Sequence, residues 1–487
     1  MPTRIVYWFR NDLRLHDNEA LSGALAAADV VLPVFVIDPT WFTELPAIGF
    51  RKMGVFQSQF LLESLADLRD SLRQRGSDLI VRMGNPAKLL AEMAQETGAT
   101  AIYASKEVTQ EETDLESDLS KRLKPLNIDL ELIWQSTLYH VRDLPFGIAR
   151  LPNVFTQFRK EVEKSATVRD PLPAPTNLPF EPLLPAGDLP SLADVGFDAE
   201  SIARVTSPDP RAVLPFSGGE TAGLARLNHY LWDADHIRTY KETRNGMLGE
   251  AYSTKFSAWL ALGCLSPRFI YADIKRYEAE RVENDSTYWV VFELIWRDFF
   301  RFVALRFGNR IFKISGIRND LGKKWLRDRA LFLRWASGTT GIPFIDANMR
   351  ELNATGFMSN RGRQNVGSFL VKDLGIDWTW GAAYFESQLI DYDPCSNWGN
   401  WNYVAGVGND PREDRYFNIL SQASRYDPSG AYVKTWVPEL THVPTDRLQQ
   451  AGALTPDEQN RYGVVPGQHY PIPVINPAKW TSPQKDH

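Results

Sequence analysis

Prolines divide this 487-residue chain into two parts with different patterns. Ten of its 31 prolines fall between Pro171 and Pro215. Proline at that density forbids regular helix, because it lacks a backbone N–H and its ring clashes with the preceding turn. The segment therefore predicts a long connector over the surface. Since 487 residues are too many for one compact core, we expect a domain on either side of it.

The first 135 residues alternate between two periods. Short β-rich runs occur at 4–9, 30–38, 78–83, 100–105 and 129–134, and helical patterns between them cover 56–75, 86–97 and 111–123. Such alternation predicts a doubly wound α/β domain with a parallel sheet. No G-x-G-x-x-G follows the first run, so a standard dinucleotide site is not supported there.

The rest of the chain reads as helical. From about residue 219 apolar residues recur at three- and four-residue spacing, with Gly and Pro at the ends of the runs. This pattern predicts an all-α domain with a short C-terminal tail. We expect the boundaries 1–135 for the α/β domain, 136–218 for the connector and 219–487 for the helical domain.

Composition narrows the functional classes. The net charge is -6, so any nucleic-acid role must depend on a local patch. Two cysteines, Cys264 and Cys395, exclude a disulfide framework or a cysteine-based zinc set, and we predict no metal site. The chain shows no signal peptide and no apolar run of membrane-spanning length, which favours a cytoplasmic protein that does not bind membranes.

The segment Asp391–Tyr403 carries two carboxylates, three amides and four aromatic rings in thirteen residues. Rings can stack on a flat heteroaromatic ligand while polar groups bind its edge. Buried amides and acids each need a partner, so an ordinary core does not favour this mixture. The alternative is a tightly packed helical turn that happens to be aromatic.

Two more clusters lie in the helical region. Hydroxyls and a lysine in Ser253–Ser257, close after Tyr240, suit an anion at a helix start, or they simply cap that helix. On a helix, Glu293, Trp296 and Arg297 share one face. They would line a pocket, or Glu293 and Arg297 would form an intrahelical ion pair on an exposed face.

Local charge and tryptophan content add two further signals. Between Trp296 and Arg363, 14 Lys and Arg stand against 5 Asp and Glu, which predicts a positive surface able to follow phosphates, or a solvated helical face. Trp325, Trp378 and Trp401 lie in the same region and are either related in function or separate core residues.

Together these motifs resemble the photolyase/cryptochrome family, and within it the DASH-type cryptochromes. The resemblance covers essentially the whole chain. It begins at Trp8-Phe9-Arg10-Asn11-Asp12-Leu13-Arg14 and continues through Lys241-Glu242-Thr243-Arg244-Asn245-Gly246-Met247. It then includes Trp259-Leu260-Ala261-Leu262-Gly263-Cys264-Leu265-Ser266-Pro267-Arg268, Thr355-Gly356-Phe357-Met358-Ser359-Asn360-Arg361 and the segment Asp391–Tyr403.

The resemblance implies that the helical domain binds FAD. Asn397 would face nitrogen 5 of the flavin, where a neutral amide is not a ready proton donor. Asp391, paired with Arg363, and Asp393 would read the adenine and isoalloxazine edges. The implied cofactor-binding set is Tyr240, Ser253, Thr254, Lys255, Phe256, Ser257, Arg297, Asn360, Arg363, Asp391, Asp393 and Asn397.

It also implies light-driven repair of cyclobutane pyrimidine dimers in DNA. Glu293 would hydrogen-bond the base carbonyls, Trp296 would pack on flipped bases, and Trp401, Trp378 and Trp325 would relay electrons to the flavin. The implied DNA-binding set is Arg244, Glu293, Trp296, Asn360, Arg361, Gln364 and Tyr403.

The sequence differs from ordinary photolyases at two positions, and both differences bear on the expected substrate. Tyr403 stands where they usually carry tryptophan, and Gln364 where they usually carry methionine. Both weaken the lesion-clamping surface, so single-stranded or loop-exposed DNA is the expected substrate, since a single strand lowers the cost of base flipping. Ser359, Asn360 and Gln364 stand where (6–4) photolyases carry histidines, which disfavours that class.

The N-terminal domain would bind an antenna, 5,10-methenyltetrahydrofolate. The segment 106–112 resembles the DASH folate-binding stretch, with Glu107 as the pterin contact, or as an ordinary acid in the first turn of a helix. We expect a monomer that acts as a DASH-type deoxyribodipyrimidine photolyase. The alternative is a blue-light photoreceptor that regulates transcription or another partner. A simple flavin dehydrogenase is disfavoured, because no nicotinamide-binding fingerprint is present.

Overall fold

Parallel strands form the core of the N-terminal part. The computed structural model describes residues 2–412 and 416–480. Its strands are β1 (Arg4–Phe9), β2 (Val30–Ile37), β3 (Glu44–Leu45), β4 (Phe50–Arg51), β5 (Ile80–Met83), β6 (Ala101–Ser105) and β7 (Asp129–Ile133). Five of them pair in parallel in the order β5-β2-β1-β6-β7, while β3 and β4 form a small antiparallel hairpin. The expected doubly wound sheet is confirmed.

Helices cover both faces of this sheet. They are α1 (Glu19–Ala27), α2 (Val55–Arg73), α3 (Pro86–Thr97) and α4 (Gln110–Leu123). The central strands β1 and β2 are buried almost throughout, as expected for a parallel sheet covered on both sides. The strand order reverses between β1 and β6, and in such sheets the crevice beyond the carboxyl ends of the strands at that point is the usual ligand position.

The proline-rich connector packs on both domains. It contains α5 (Phe155–Ser165) and α6 (Ala199–Thr206). Our expectation that proline excludes helix here is wrong at α6, because residues 191–207 contain no proline. Pro179 and Ala186 accept backbone hydrogen bonds from Val31 and Val81 in the sheet, and the side chain of Arg204 bonds a carbonyl of the helical domain.

Helices make up the C-terminal part. They are α7 (Glu220–Asn228), α8 (Tyr240–Thr243), α9 (Ser257–Ala261), α10 (Pro267–Glu280), α11 (Asp285–Phe307), α12 (Arg329–Ala336), α13 (Pro343–Thr355), α14 (Asn360–Ser368), α15 (Trp378–Gln388), α16 (Pro394–Ala405), α17 (Ile419–Tyr426), α18 (Ala431–Trp436), α19 (Thr445–Leu448) and α20 (Pro456–Tyr462). Two π-helical segments, His229–Asp233 and Phe369–Asp373, extend α7 and α14. The expected all-α architecture is confirmed. The end of the expected tail, 481–487, lies outside the described residues.

Buried charges join the N-terminal part to the helices. The carboxylate of Asp17, fully buried, accepts from Arg268 Nη2 at 2.7 Å and from its Nε at 3.0 Å. The carboxylate of Asp298 on α11 accepts the backbone N–H groups of Leu138 and Tyr139 at 2.9 and 2.8 Å. These bonds hold α11 against the residues that follow β7. No helix in the described part is both long and apolar enough to span a bilayer.

Candidate functional site

A cavity of about 800 Å³ lies among α8, α9, α11, α14 and α16. Its volume is in the range of small-molecule and cofactor pockets. All residues that the sequence singled out for cofactor or DNA binding line it, together with Trp401 of the proposed electron relay. They are Tyr240, Arg244, Ser253, Thr254, Lys255, Phe256, Ser257, Glu293, Trp296, Arg297, Asn360, Arg361, Arg363, Gln364, Asp391, Asp393, Asn397, Trp401 and Tyr403.

Helix α11 presents its polar and aromatic face to this cavity. Glu293, Trp296, Arg297 and Phe300, at helical spacing, all line the wall. The alternative of an intrahelical Glu293–Arg297 pair is not observed. Glu293 instead accepts from Arg244 of the segment after α8, and Arg297 donates to backbone carbonyls, including Leu260 O at 3.2 Å. The charged side chains of α11 thus connect different segments around the cavity.

The acid Glu293 sits in surroundings that favour its neutral form. Burial raises its pKa, and the nearby Arg244 guanidinium opposes that rise only in part. A carboxyl group with a raised pKa keeps its proton to a higher pH than usual, and in that form it can donate a hydrogen bond. Glu293 is therefore placed to act as a donor or as an acceptor at the cavity wall.

Aromatic rings form the wall beside Glu293. Trp296 stacks on Phe155 with ring centroids 3.6 Å apart and planes 10° apart. Tyr403 meets the Trp296 ring edge-on at 5.8 Å, and Phe300 at 5.6 Å. Because these contacts fix the ring of Trp296, a flat apolar surface is maintained for a planar group.

Two carboxylates enter the cavity from the start of α16. Arg363 Nη2 lies 2.8 Å from Asp391 Oδ2, which is the expected pair. The other oxygen, Asp391 Oδ1, is buried and has no hydrogen-bond partner within the described ranges. Asp393 caps α16 through Ser396 N at 2.7 Å. Burial disfavours its charge, but Arg301 and Arg297 more than compensate, so the pKa of Asp393 is lowered.

The amide of Asn397 has a defined orientation. Its Nδ2 donates to the carbonyl of Ala382 on α15 at 3.0 Å. This bond uses one of the two N–H donors of the amino group and leaves the other N–H and the carbonyl oxygen. Asn397 is buried and lines the cavity, so it offers a neutral amide there rather than an ionisable group.

The segment Ser253–Ser257 does not serve as a helix cap. Phe256 is the N-cap of α9, and no side chain makes a capping hydrogen bond there, so the capping alternative fails.

Lys255 adopts a left-handed backbone (φ +57°), and its ammonium bonds Glu250 O at 2.9 Å. Burial, followed by the Arg226 charge, lowers the pKa of Lys255 to about 7. In the described chain no carboxylate lies within ion-pair distance of this ammonium, so an anion could pair with it.

The three singled-out tryptophans lie at different depths. Trp401 is in the cavity wall and packs on Phe385 at 5.2 Å. Trp378 is fully buried outside the lining and packs edge-on against Trp398 at 5.8 Å. Trp325 is half-buried. The set therefore extends from the cavity to the surface, although Trp378 packs on Trp398, which the sequence did not single out.

Glu107 lies in the crevice where the strand order reverses. It follows β6 and precedes α4, which starts at Gln110, so it is not the first-turn helix acid of the alternative. It is buried and forms an ion pair with Arg301 of α11. Burial raises the pKa of Glu107, and Arg301 opposes that rise. Its Oε1 is buried with no hydrogen-bond partner in the part of the chain that the structure describes.

The basic excess after Trp296 is divided between the interior and the surface. Arg301 is buried, but so are the acids Asp298, Asp346 and Glu351. Burying three of the five acids leaves the exposed charge of this stretch strongly positive. At the cavity, Arg361 and Arg412 add positive charge to the lining.

Several lining residues were missed by sequence reasoning. Tyr252, Phe357 and Arg412 line the cavity; Tyr252 stands beside a singled-out motif, and Phe357 lies inside one of the motifs quoted for the family resemblance. Tyr252 precedes Ser253 directly, so its proximity was a usable signal. No local sequence pattern indicates that Arg412 lines the cavity, because only the folded chain brings its segment there.

Comparison with known proteins agrees with this geometry. Residues 5–176 match the family model described as DNA photolyase, and residues 289–485 match the FAD binding domain of DNA photolyase. The chain is 54% identical to the "Cryptochrome DASH" of Gloeobacter violaceus, over 97% of this chain and 93% of that protein.

Solved structures give the same assignment. A Synechocystis cryptochrome crystal structure superposes with a TM-score of 0.94 at 50% identity, covering 99% of this chain and 98% of that one. A class III photolyase from Agrobacterium tumefaciens gives 0.85 at 28% identity, covering 99% and 96%. The chain therefore belongs to the photolyase/cryptochrome family, and within it to the DASH cryptochromes.

Proposed function

We propose that this protein splits cyclobutane pyrimidine dimers in single-stranded DNA under blue light, with reduced FAD bound in the helical cavity. One observation carries the proposal. Glu293 and Trp296, suited to contact a damaged base pair, line the same cavity as Asp391, Arg363 and Asn397, suited to hold a flavin. A cofactor and a lesion can therefore occupy one space in direct contact.

The cavity residues fit FAD. Asp391 Oδ1 and the Tyr252 hydroxyl are buried, and neither has a hydrogen-bond partner among the described residues; FAD offers amino, ring N–H and hydroxyl groups for such atoms. Lys255 is a buried cation with no carboxylate at ion-pair distance in that part of the chain, and a diphosphate would supply the missing charge. Tyr240 and Ser253–Ser257 would surround the diphosphate, while Arg297, Asn360 and Arg363 would flank the ring system.

The protein groups near the flavin determine which protonation state is favoured. When bound and reduced, FAD supplies under blue light the electron that opens the dimer and accepts it back afterwards. Asn397 presents a neutral amide there, with one of its N–H donors held by Ala382 O. A group without a labile proton favours the anionic reduced form at that position.

Glu293 would stabilise the charge that develops on the dimer. With its pKa raised by burial, a protonated carboxyl can donate to a base carbonyl as negative charge accumulates there. The ring of Trp296, fixed by Phe155, would pack against the flipped bases. Arg244, Arg361 and the neighbouring Asn360 and Gln364 would contact the DNA strand.

The preference for a single strand follows from the lesion wall. Tyr403 offers a smaller ring than tryptophan, and Gln364 accepts from Arg361 at 2.8 Å instead of presenting an apolar side chain. Extracting a dimer from a duplex costs a few kcal/mol of stacking and pairing. A wall with less apolar contact offsets less of that cost, whereas a single strand avoids much of it.

An antenna is proposed at the crevice between the domains. Glu107 Oε1 faces no hydrogen-bond partner in the described chain, and a pterin presents paired N–H donors that match a carboxylate. We propose 5,10-methenyltetrahydrofolate there. Trp401, Trp378 and Trp325 are proposed to carry electrons from the surface towards the flavin.

Replacing Glu293 by alanine should reduce repair while FAD stays bound. A hydrogen bond to a charged group contributes about 1.5–3 kcal/mol, so dimer splitting should slow roughly tenfold or more. The measurement is the quantum yield of repair of ultraviolet-irradiated oligothymidine. Glu283→Ala, which removes an exposed acid, should repair as the parent does. Parent-like repair by Glu293→Ala would remove the role assigned to Glu293.

Replacing Trp401 by phenylalanine should abolish fast photoreduction of the flavin, because phenylalanine is far harder to oxidise than tryptophan. Chemically reduced variant should still repair dimers. Transient absorption and the repair assay give the two readouts. Trp232→Phe, outside the cavity lining, should behave as the parent. Fast photoreduction in Trp401→Phe, or loss of repair by its pre-reduced form, would contradict the relay assignment.

FAD affinity should fall as pH rises through about 7. Burial lowers the Lys255 pKa from 10.5 to about 7, and the bound diphosphate should raise it again. Binding above pH 7 must then take up a proton, and the affinity falls by at most about tenfold per pH unit. The fluorescence of released FAD, recorded from about pH 6 to about pH 9, measures this change in affinity.

Lys255→Met assigns the effect to this residue. Glu351, whose pKa burial raises to about 8, would act in the same direction, since its ionisation adds negative charge near the cofactor. Lys255→Met should bind FAD more weakly and lose most of the pH dependence. A parent protein whose FAD affinity does not change over this pH interval would contradict the proposal.

A further inference from the structure

Two histidines and a glutamate converge at the surface, outside the cavity lining. His229, His236 and Glu250 place their ligand atoms within 4.8 Å of one another. They come from the π-helical end of α7, the turn before α8 and the loop between α8 and α9. Imidazole nitrogens with one carboxylate form the donor set of many zinc sites. Against the sequence-based expectation of no metal site, we propose that these three side chains bind one divalent transition-metal ion, with Zn²⁺ as the best match.

The contacts around His229 are those of a metal ligand with outer support. Its Nε2 faces Glu250 Oε1 at 3.7 Å, while its Nδ1 lies 4.0 Å from Asp233 Oδ2. A metal-binding histidine usually directs its second nitrogen to a carboxylate, which fixes the ring and raises its basicity. Small side-chain rotations would bring the three donor atoms to coordination distance.

Glu250 has one oxygen for the metal and one for a neighbour. Its Oε2 lies 3.7 Å from Arg226 Nη1, and its Oε1 faces His229. Monodentate binding through Oε1 therefore preserves the contact with Arg226. The Arg226 guanidinium opposes a nearby cation, but Glu250 and Asp233 supply two negative charges to balance the ion.

The ring of His236 is held in place by its neighbours. Its ring packs against Tyr230 at 5.6 Å and lies nearly perpendicular to the His229 ring at 6.1 Å. The residue before it, Asp235, has a left-handed backbone (φ +56°) that reverses the chain here.

The site connects α7 to the loop that reaches the cavity. Arg226 already donates to Glu250 O, Ser253 O and Thr254 O at 3.0, 3.3 and 3.1 Å. An ion between His229 and Glu250 would add a second link to the same loop. Binding should therefore stabilise the folded protein by mass action and slow the release of a cavity ligand. This inference does not depend on dimer repair.

The test is calorimetric titration of tag-free, FAD-loaded protein with Zn²⁺ after removal of metals by a chelator. One ion should bind per chain, and Zn²⁺ should raise the thermal midpoint. His229→Ala and His236→Ala should each lower the Zn²⁺ affinity by more than the 10- to 100-fold typical of an outer-sphere change. Asp233→Asn should lower it by about tenfold. Mg²⁺ should not compete, since it prefers oxygen ligands.

His442→Ala, which removes an exposed histidine elsewhere, is the matched control and should bind Zn²⁺ as the parent does. The proposal is overturned if the parent takes up no Zn²⁺ at millimolar concentration. It is also overturned if His229→Ala and His236→Ala keep parent affinity, or if His442→Ala loses as much affinity as they do.

Discussion

The guanidinium of Arg301 connects the two halves of this molecule. It is buried on α11 and pairs with Glu107 from the α/β domain and, at 3.5 Å, with Asp393 at the start of α16. Burial opposes its charge, but Glu107, Asp393 and the other acidic groups around it together outweigh burial, so the pKa of Arg301 is raised. Removing one partner from such a buried pair leaves an uncompensated charge and costs about 3–5 kcal/mol, so this contact ties the position of α16 to that of the sheet.

This bridge between the domains, formed by Glu107 and Arg301, is incomplete. Glu107 Oε1 and Arg301 Nε are buried, and within the described ranges neither has a hydrogen-bond partner. Buried polar atoms normally find partners, and these two lie where the strand order of the sheet reverses. A ligand edge that completed the bridge would sit between the domains, with Asp393 linking it to the helix that carries Asn397 and Trp401. Antenna and catalytic cavity would then share one structural support, helix α11, which is about 34 Å long.

Sequence reasoning performed best where the signal is local. β-rich runs predicted the five strands of the sheet to within two residues, and the signal is clearest at β1 and β2, because strands buried on both faces are apolar almost throughout. Helix α6 was missed, since the proline density was averaged over a window that includes a proline-free stretch. The partner of Glu293 could not be predicted from spacing, because Arg244 lies 49 residues earlier and competes with the local Arg297.

Contacts between residues that are far apart in the sequence also explain why other parts of the site could not be predicted. Most of the functional residues that line the cavity were found by resemblance and by chemistry, whereas their hydrogen bonds depend on the fold. Glu107 and Arg301 stand 194 residues apart, and the histidine cluster joins three separate turns. Neither arrangement leaves a periodic trace in the sequence.

The most direct test of this account uses purified, chemically reduced protein under blue light. The recovery of thymine absorbance is followed in ultraviolet-irradiated oligothymidine, single-stranded and in duplex, with a dark control. The account predicts light-dependent recovery in the single strand and much slower recovery in the duplex. No recovery in either substrate, from protein whose flavin is bound and photoreducible, would contradict it and favour a blue-light photoreceptor.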